Sequence, residues 1–342
     1  MTTPECLQPS SATTVALPVI YSLLFPAGIL GNILAAWIFS RQAFTKRAQY
    51  IYLVNLVTAN LLVCSTMPFL AVYFAIGYQW TYNSLPCRIA NHFVTLIVHV
   101  SMYVTIMILC LTALSQYGTL NKHCGAQYCQ AVNKNFRRCV LEKFCQPKFA
   151  KYLCITIWLA VLCITVIAIA YKVHAKTMEE SKKCYSVSVE VGDSAAMMSG
   201  FLATACFFVS FTIVLWSYYS LTRQLSKIQK NTCIAEKHLI YKTVKRNILV
   251  IQMILIASFL PYHIFKPLFY ALLNGDCLRL NYLVEIKNFL ICTAAAKSSL
   301  DPVIIFLLDT TFKKSLYGLF TKSTPEHDKC KADIFIEKTT EM

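Results

Sequence analysis

Seven long apolar stretches, cut apart by clusters of charge, constrain this 342-residue chain more than any other feature. Six contain no Asp, Glu, Lys or Arg: Val15–Phe39, Tyr50–Ile76, Ile89–Leu120, Tyr152–Tyr171, Ser194–Thr222 and Asn247–Phe265. A seventh, Asn288–Leu308, carries Lys297 and Asp301 inside it. About 20 apolar residues in helical form cross a hydrocarbon core about 30 Å thick. Strands of a membrane barrel are about half that length and alternate in polarity. These runs do not alternate, so helices, which satisfy their own backbone in lipid, are the remaining solution. Composition agrees. Hydrophobic residues are 57% and charged residues 14%, where soluble domains carry about 25% charged. Aromatics at 13% exclude disorder. The expected fold class is an all-α membrane protein, a seven-transmembrane helix bundle over 15–308 behind a short extracellular N-terminus at 1–14.

The third run spans over 40 Å as a helix, so it is expected to tilt steeply or project beyond the bilayer. Pro18, Pro26, Pro68, Pro261, Pro267 and Pro302 each remove a backbone bond and invite kinks. No removable leader is expected, because Met1–Thr14 has no basic residue and the first apolar run is too long for a leader's core.

Lysine and arginine set the orientation. The first, third and fifth connections are basic, with Arg41, Lys46 and Arg47, then Arg137 and Arg138 among five lysines, then Arg223 and Arg246 among five lysines. The alternate connections balance Lys172, Lys176, Lys182 and Lys183 against Glu179, Glu180, Glu190 and Asp193, and Arg279 and Lys287 against Asp276 and Glu285. The basic side is therefore expected to be cytoplasmic, with the N-terminus outside and the C-terminus inside. The net charge of +16 follows from topology, and nucleic acid is not an expected partner. Cys6, Cys87, Cys184 and Cys277 then lie outside, where disulfides persist, and four cysteines allow three pairings.

The motifs resemble those of rhodopsin-like (class A) G-protein-coupled receptors, in the purinergic-like branch, over nearly the whole chain. Gly31-Asn32, the second-helix stretch from Leu53 to Asn60, Trp80, Cys87, Trp158, Phe259-Leu-Pro261-Tyr262-His263 with Lys266, and Asp301-Pro302 carry the resemblance. It implies a plasma-membrane receptor for an outer ligand such as a nucleotide, lipid or peptide, with a heterotrimeric G protein as inner partner. It also implies the pairings Cys87–Cys184 and Cys6–Cys277.

The departures fall on the activation machinery. The family's Asp-Arg-Tyr reads Ser115-Gln116-Tyr117, and Ile305 stands where a tyrosine is usual. The fifth-helix proline is absent, and the run from Cys87 to Gln116 is about one turn longer than usual. Asn60 replaces the second-helix aspartate that, in related receptors, helps hold sodium. Lys297 stands four residues before Asp301, on the same helical face. The two are expected to neutralise each other within a polar core of Asn32, Asn60, Lys297 and Asp301, with the Asn60 carbonyl offered to the ammonium. Lys297 would then stand in for the ion.

Toward the outside, His263 and Lys266 follow Pro261 three residues apart and share a face, and Lys287 is placed at the start of the seventh helix. Two cations opening on one vestibule favour a ligand with carboxylate or phosphate. His99, Tyr103, Tyr262 and Tyr270 supply walls and donors. The competing reading pairs Lys266 and Lys287 with Glu285 or Asp276 at a solvated rim.

No phosphate loop, nucleophile elbow or zincin motif is present, so neither an enzyme nor a cofactor is expected. The spacings among His123, Cys124, Cys129, Cys139 and Cys145 do not fit zinc knuckles, so no metal is expected. Residues 309–322 are expected to form an amphipathic helix on membrane lipid, with a disordered cytoplasmic tail at 323–342 carrying Cys330. The rival to a signalling receptor is a non-signalling seven-helix protein, a decoy, scavenger or heteromer partner, and Gln116 is the residue that favours it.

Overall fold

The computed structural model describes residues 6–43, 47–128, 142–174, 183–192, 194–230, 235–273 and 276–308. The chain through Pro302 forms one compact unit. A second unit begins at Val303, of which 303–308 are described as helix. The predicted surface helix, the tail with Cys330, and Cys129, Cys139 and Cys233 lie outside the described residues.

Among the described residues, seven long helices follow one another: α1 Leu17–Ala43, α2 Ala48–Ile76, α3 Thr95–Tyr128, α4 Pro147–His174, α5 Ser194–Lys230, α6 Ala235–Ala271 and α7 Cys277–Leu308. All but α4 are, in their described residues, long and apolar enough to cross a membrane. At 28 residues α4 is about 42 Å long. The helices are apolar on both faces, as lipid-embedded helices are. On α1, Tyr21 and Ala35 are sealed in the bundle while Leu23 and Leu30 lie 70% exposed on the outside. The chain is thus a multi-pass membrane protein of the seven-helix type.

Helix α3 has a composite start. A short helix, Leu85–Ile89, runs into a π-helical turn, Ala90–Val94, and then into the 34 residues of α3. The surplus length noted in the sequence is carried by continuous helix, about 50 Å in α3 alone. Helices α5 and α6 run 37 residues each, well past their apolar runs, because charged residues end hydrophobicity without ending a helix. For the same reason α7 begins at Cys277, and Lys287 lies ten residues inside it rather than at its start.

Close approaches fix the packing. A Cβ on Gly28 would meet Cys64 Sγ at 2.5 Å and Ser299 Oγ at 2.6 Å, so only glycine lets α1, α2 and α7 meet there. Asn32 beside it donates to the Gly28 carbonyl at 2.8 Å and to the Ser298 carbonyl at 2.9 Å. Trp158 Nε1 donates to Asn55 Oδ1 at 3.0 Å, tying α4 to α2. Cys64, Cys110, Cys154 and Cys292 are buried, whereas Cys163 and Cys206 face outward, where a thiol is apolar enough for hydrocarbon.

Candidate ligand site and polar core

Two disulfides gather at one end of the bundle. Cys87 pairs with Cys184, Cα–Cα 5.7 Å, and Cys6 with Cys277, Cα–Cα 5.2 Å. The first fixes the segment after α4 against the helix that leads into α3. Cys184 N–H also donates to the Trp80 carbonyl at 2.8 Å, and Thr81 bridges Lys183. The second lays the N-terminal segment along α7. There Asn281 donates to the Cys6 carbonyl and accepts from Gln8 N–H, while Glu285 accepts from Ser10 and Thr13 hydroxyls.

A short helix, Val187–Glu190, brings Glu190, six residues past Cys184, to α7. Its carboxylate accepts from Lys287 Nζ at 2.7 Å, Tyr73 Oη at 2.5 Å and Asn288 Nδ2 at 3.3 Å. Lys287 also donates to the Glu190 backbone carbonyl at 2.6 Å. The side chains are 6% exposed for Glu190 and 16% for Lys287. Burial pushes the carboxyl pKa up, but the Lys287 charge and the three donors outweigh it and hold it below the usual carboxylate range. Burial, then Glu190 and Glu285, push the Tyr185 phenol up. Glu190 then departs through Gly192, whose φ of 82° suits glycine, into α5. Lys287 is therefore paired with Glu190, not with Glu285 or Asp276.

The remaining expected ligand residues cluster around α6. His99 Nε2 shares a hydrogen bond of 2.8 Å with Tyr262 Oη, and its Nδ1 lies 2.7 Å from the Thr95 carbonyl. His263 is 1% exposed and stacks on Phe207 with centroids 3.5 Å apart. Its Nδ1 meets the Phe259 carbonyl at 2.9 Å, and Nε2 has no partner among the described residues. Tyr103 meets the His263 ring edge-on at 5.6 Å, and its buried hydroxyl has no partner among them either. His263 is thus a packed core ring, sharing its helix with Lys266 but not Lys266's setting.

Lys266 is half-buried where α5 and α6 touch. A Cβ on Gly200 would stand 3.0 Å from its Cε, and its Nζ lies 5.9 Å from the Tyr262 ring centre. No carboxylate or hydrogen-bond acceptor meets Lys266 among the described residues. A separate apolar groove of about 480 Å³ includes Pro261, Ile264, Leu268 and Leu290, and it holds none of these polar groups. Ile264 and Leu268 on it lie about half exposed on the outside of the bundle.

In mid-bundle, Lys297 Nζ meets Asp301 Oδ2 at 2.6 Å, and Asn60 Nδ2 donates to the same oxygen at 2.9 Å. The Asn60 carbonyl, expected on the ammonium, has no partner among the described residues. Asn60 turns its amide instead because the carboxylate has room for a second donor. Lys297 also lies 5.6 Å from the Phe259 ring of α6. Asn32 stays apart from this pair, on Ser298. No cluster of metal-binding side chains occurs among the described residues.

At the basic end, Ser115 is buried, and its carbonyl accepts from Thr119 at 2.8 Å and Cys145 Sγ at 3.4 Å. Gln116 is half-buried with no hydrogen bond among the described residues, and Tyr117 lies 6.3 Å from Trp216. Sequence reasoning missed Tyr73, Glu190, Asn288 and Phe207. The one signal for Glu190 was its place six residues past Cys184.

Residues 31–305 match the 7 transmembrane receptor (rhodopsin family). The chain is 47% identical over 322 residues to probable G-protein coupled receptor 82 of Mus musculus, covering 93% of this chain and 98% of that protein. It is 48% identical over 325 residues to probable G-protein coupled receptor 82 of Homo sapiens, covering 94% and 97%. A more distant relative, purinoceptor 14 of Bos taurus, is 24% identical over 348 residues, covering 97% and 96%. With the seven-helix bundle and these motifs in place, the chain belongs to the rhodopsin family of seven-transmembrane receptors.

Proposed function

We propose that this chain is a plasma-membrane receptor that binds an anionic extracellular ligand at its disulfide end and signals through a heterotrimeric G protein at its basic end. Lys266 carries this reading. It is a half-buried cation with no acceptor of its own among the described residues, set beside the Tyr262 ring and packed against Gly200. A desolvated ammonium of this kind is completed by a carboxylate or phosphate. Tyr103, with its unpartnered hydroxyl, and Tyr270 line the approach, while His99 holds Tyr262 in place. His263 supports the floor through Phe207 rather than touching the ligand. Lys287 is the second cation of the vestibule, held by Glu190. The ligand acts by favouring the bundle arrangement that opens the basic end.

The basic connections support a cytoplasmic placement of that end. The relative named a purinoceptor supports putting purine nucleotides first among the ligands tried, with lysophospholipids and acidic peptides next. The test is binding of these three classes to the purified chain and to Lys266→Ala. One class is expected to bind, with loss of at least about tenfold in affinity on Lys266→Ala, the scale of one charge-assisted bond. Equal affinity in both chains overturns the proposal.

Gln116 favours a second reading, a seven-helix protein that binds a ligand without turning over a G protein. A neutral amide lacks the charge and the fixed fork of donors of the arginine it replaces. Ligand binding with no nucleotide exchange on any G protein, in the unmodified chain and in Gln116→Arg alike, would decide for it.

A further inference from the structure

The contact between Glu190 and α7 has the anatomy of a binding site with its ligand in place. The donors belong to the bundle: Tyr73 on α2, Lys287 and Asn288 on α7. The carboxylate belongs to a loop, carried on a four-residue helix between the Cys184 disulfide and Gly192. One oxygen, Oε1, takes the phenol and the other, Oε2, takes the ammonium and the amide. That is the two-oxygen recognition by which proteins hold free carboxylates. Without the carboxylate, Lys287 would keep the Glu190 backbone carbonyl and the Phe269 ring, 5.8 Å from its Nζ, but no anionic partner, and the Tyr73 phenol would lose its acceptor.

We infer that Tyr73, Lys287 and Asn288 form a carboxylate-binding site that the chain's own Glu190 fills, and that the site takes an external carboxylate once Glu190 leaves it. Tethering gives Glu190 an effective concentration in the millimolar range or above. A diffusing carboxylate therefore displaces it only with help from further contacts. A ligand whose second anionic group engages Lys266 has that help. The use of the site by an extracellular ligand rests on the reading given above; the existence of the site does not.

The test is a set of melting curves of the purified full chain in acetate and in chloride at equal ionic strength. Glu190→Ala is expected to melt lower than the unmodified chain in chloride and to recover most of that loss in acetate. The unmodified chain, Glu190→Gln, whose amide fills the space, and Glu190→Ala/Lys287→Ala are expected to show no acetate-specific gain. A Glu190→Ala chain that acetate raises no more than it raises the unmodified chain overturns the inference. So does a Glu190→Ala chain that folds in neither anion while Glu190→Gln folds, since packing rather than a carboxylate would then hold the loop. Recovery of folded Glu190→Ala in acetate alone supports it. These curves need neither agonist nor G protein, so they stand whatever the outcome of the Lys266 binding test.

Discussion

Lys297 and Asp301 meet at 2.6 Å one turn apart on α7, and Asn60 of α2 donates to the same carboxylate oxygen at 2.9 Å. Both residues are buried, at 4% and 7% exposure. A charge in a membrane core is costly and persists with a partner. Lys297→Ala would strand the Asp301 carboxylate and is expected to cost about 3–5 kcal/mol, the range for breaking a buried pair from one side. The loss is read as a lower melting temperature in detergent. Because Lys297 already neutralises Asp301, stability and ligand affinity are expected to be the same in sodium as in a bulky organic cation at equal ionic strength. A fully stable Lys297→Ala, or a clear sodium dependence of the unmodified chain, would contradict this.

The Cys87–Cys184 disulfide closes a segment of 97 residues and is the anchor from which the Glu190 loop starts. Cys87→Ser is expected to lose about 2–5 kcal/mol, or folding altogether. Surface labelling and a melting curve report it. Normal surface expression with an unchanged melting temperature would show that the Trp80–Cys184 hydrogen bond and the packing around it suffice.

Glu190 makes a pH dependence of definite sign. Its folded carboxyl titrates below the ordinary value of about 4.3, because the Lys287 charge and the hydrogen bonds from Lys287, Tyr73 and Asn288 outweigh the upward push of burial. The stabilisation is therefore complete above about pH 4.3 and is lost as pH falls from there through the folded pKa. Melting temperature is expected to hold steady near neutrality and to fall on acidification below that point. Glu190→Gln is expected to start lower at neutral pH and to lose less on acidification. Identical acid limbs in the two chains would show that Lys287, Tyr73 and Asn288 exert no net pull on this carboxyl.

Much of the fold is legible because charge spacing reports lipid directly. The run Tyr50–Ile76 lies within α2, and the Lys297–Asp301 contact follows from a spacing of four on a helix. What is illegible has a common cause. Arg279, Glu285 and Lys287 end an apolar run, so hydrophobicity alone starts α7 too late, although none of them breaks a helix. The partner of Lys287 depends on where a disulfide-pinned loop falls, and no local pattern encodes that path. His263 shares a helical face with Lys266, yet the aromatic ring of Phe207 on another helix seals it. Helical periodicity places a side chain around its own axis and leaves open which neighbour covers it.

The most direct test of receptor function is nucleotide exchange on purified heterotrimeric G proteins, driven by the unmodified chain, Gln116→Arg and Lys266→Ala in lipid nanodiscs. We predict weak ligand-free exchange that rises on Gln116→Arg, and an added response to an anionic ligand that Lys266→Ala abolishes. Strong ligand-free exchange indifferent to Gln116→Arg, or a ligand response untouched by Lys266→Ala, would contradict it.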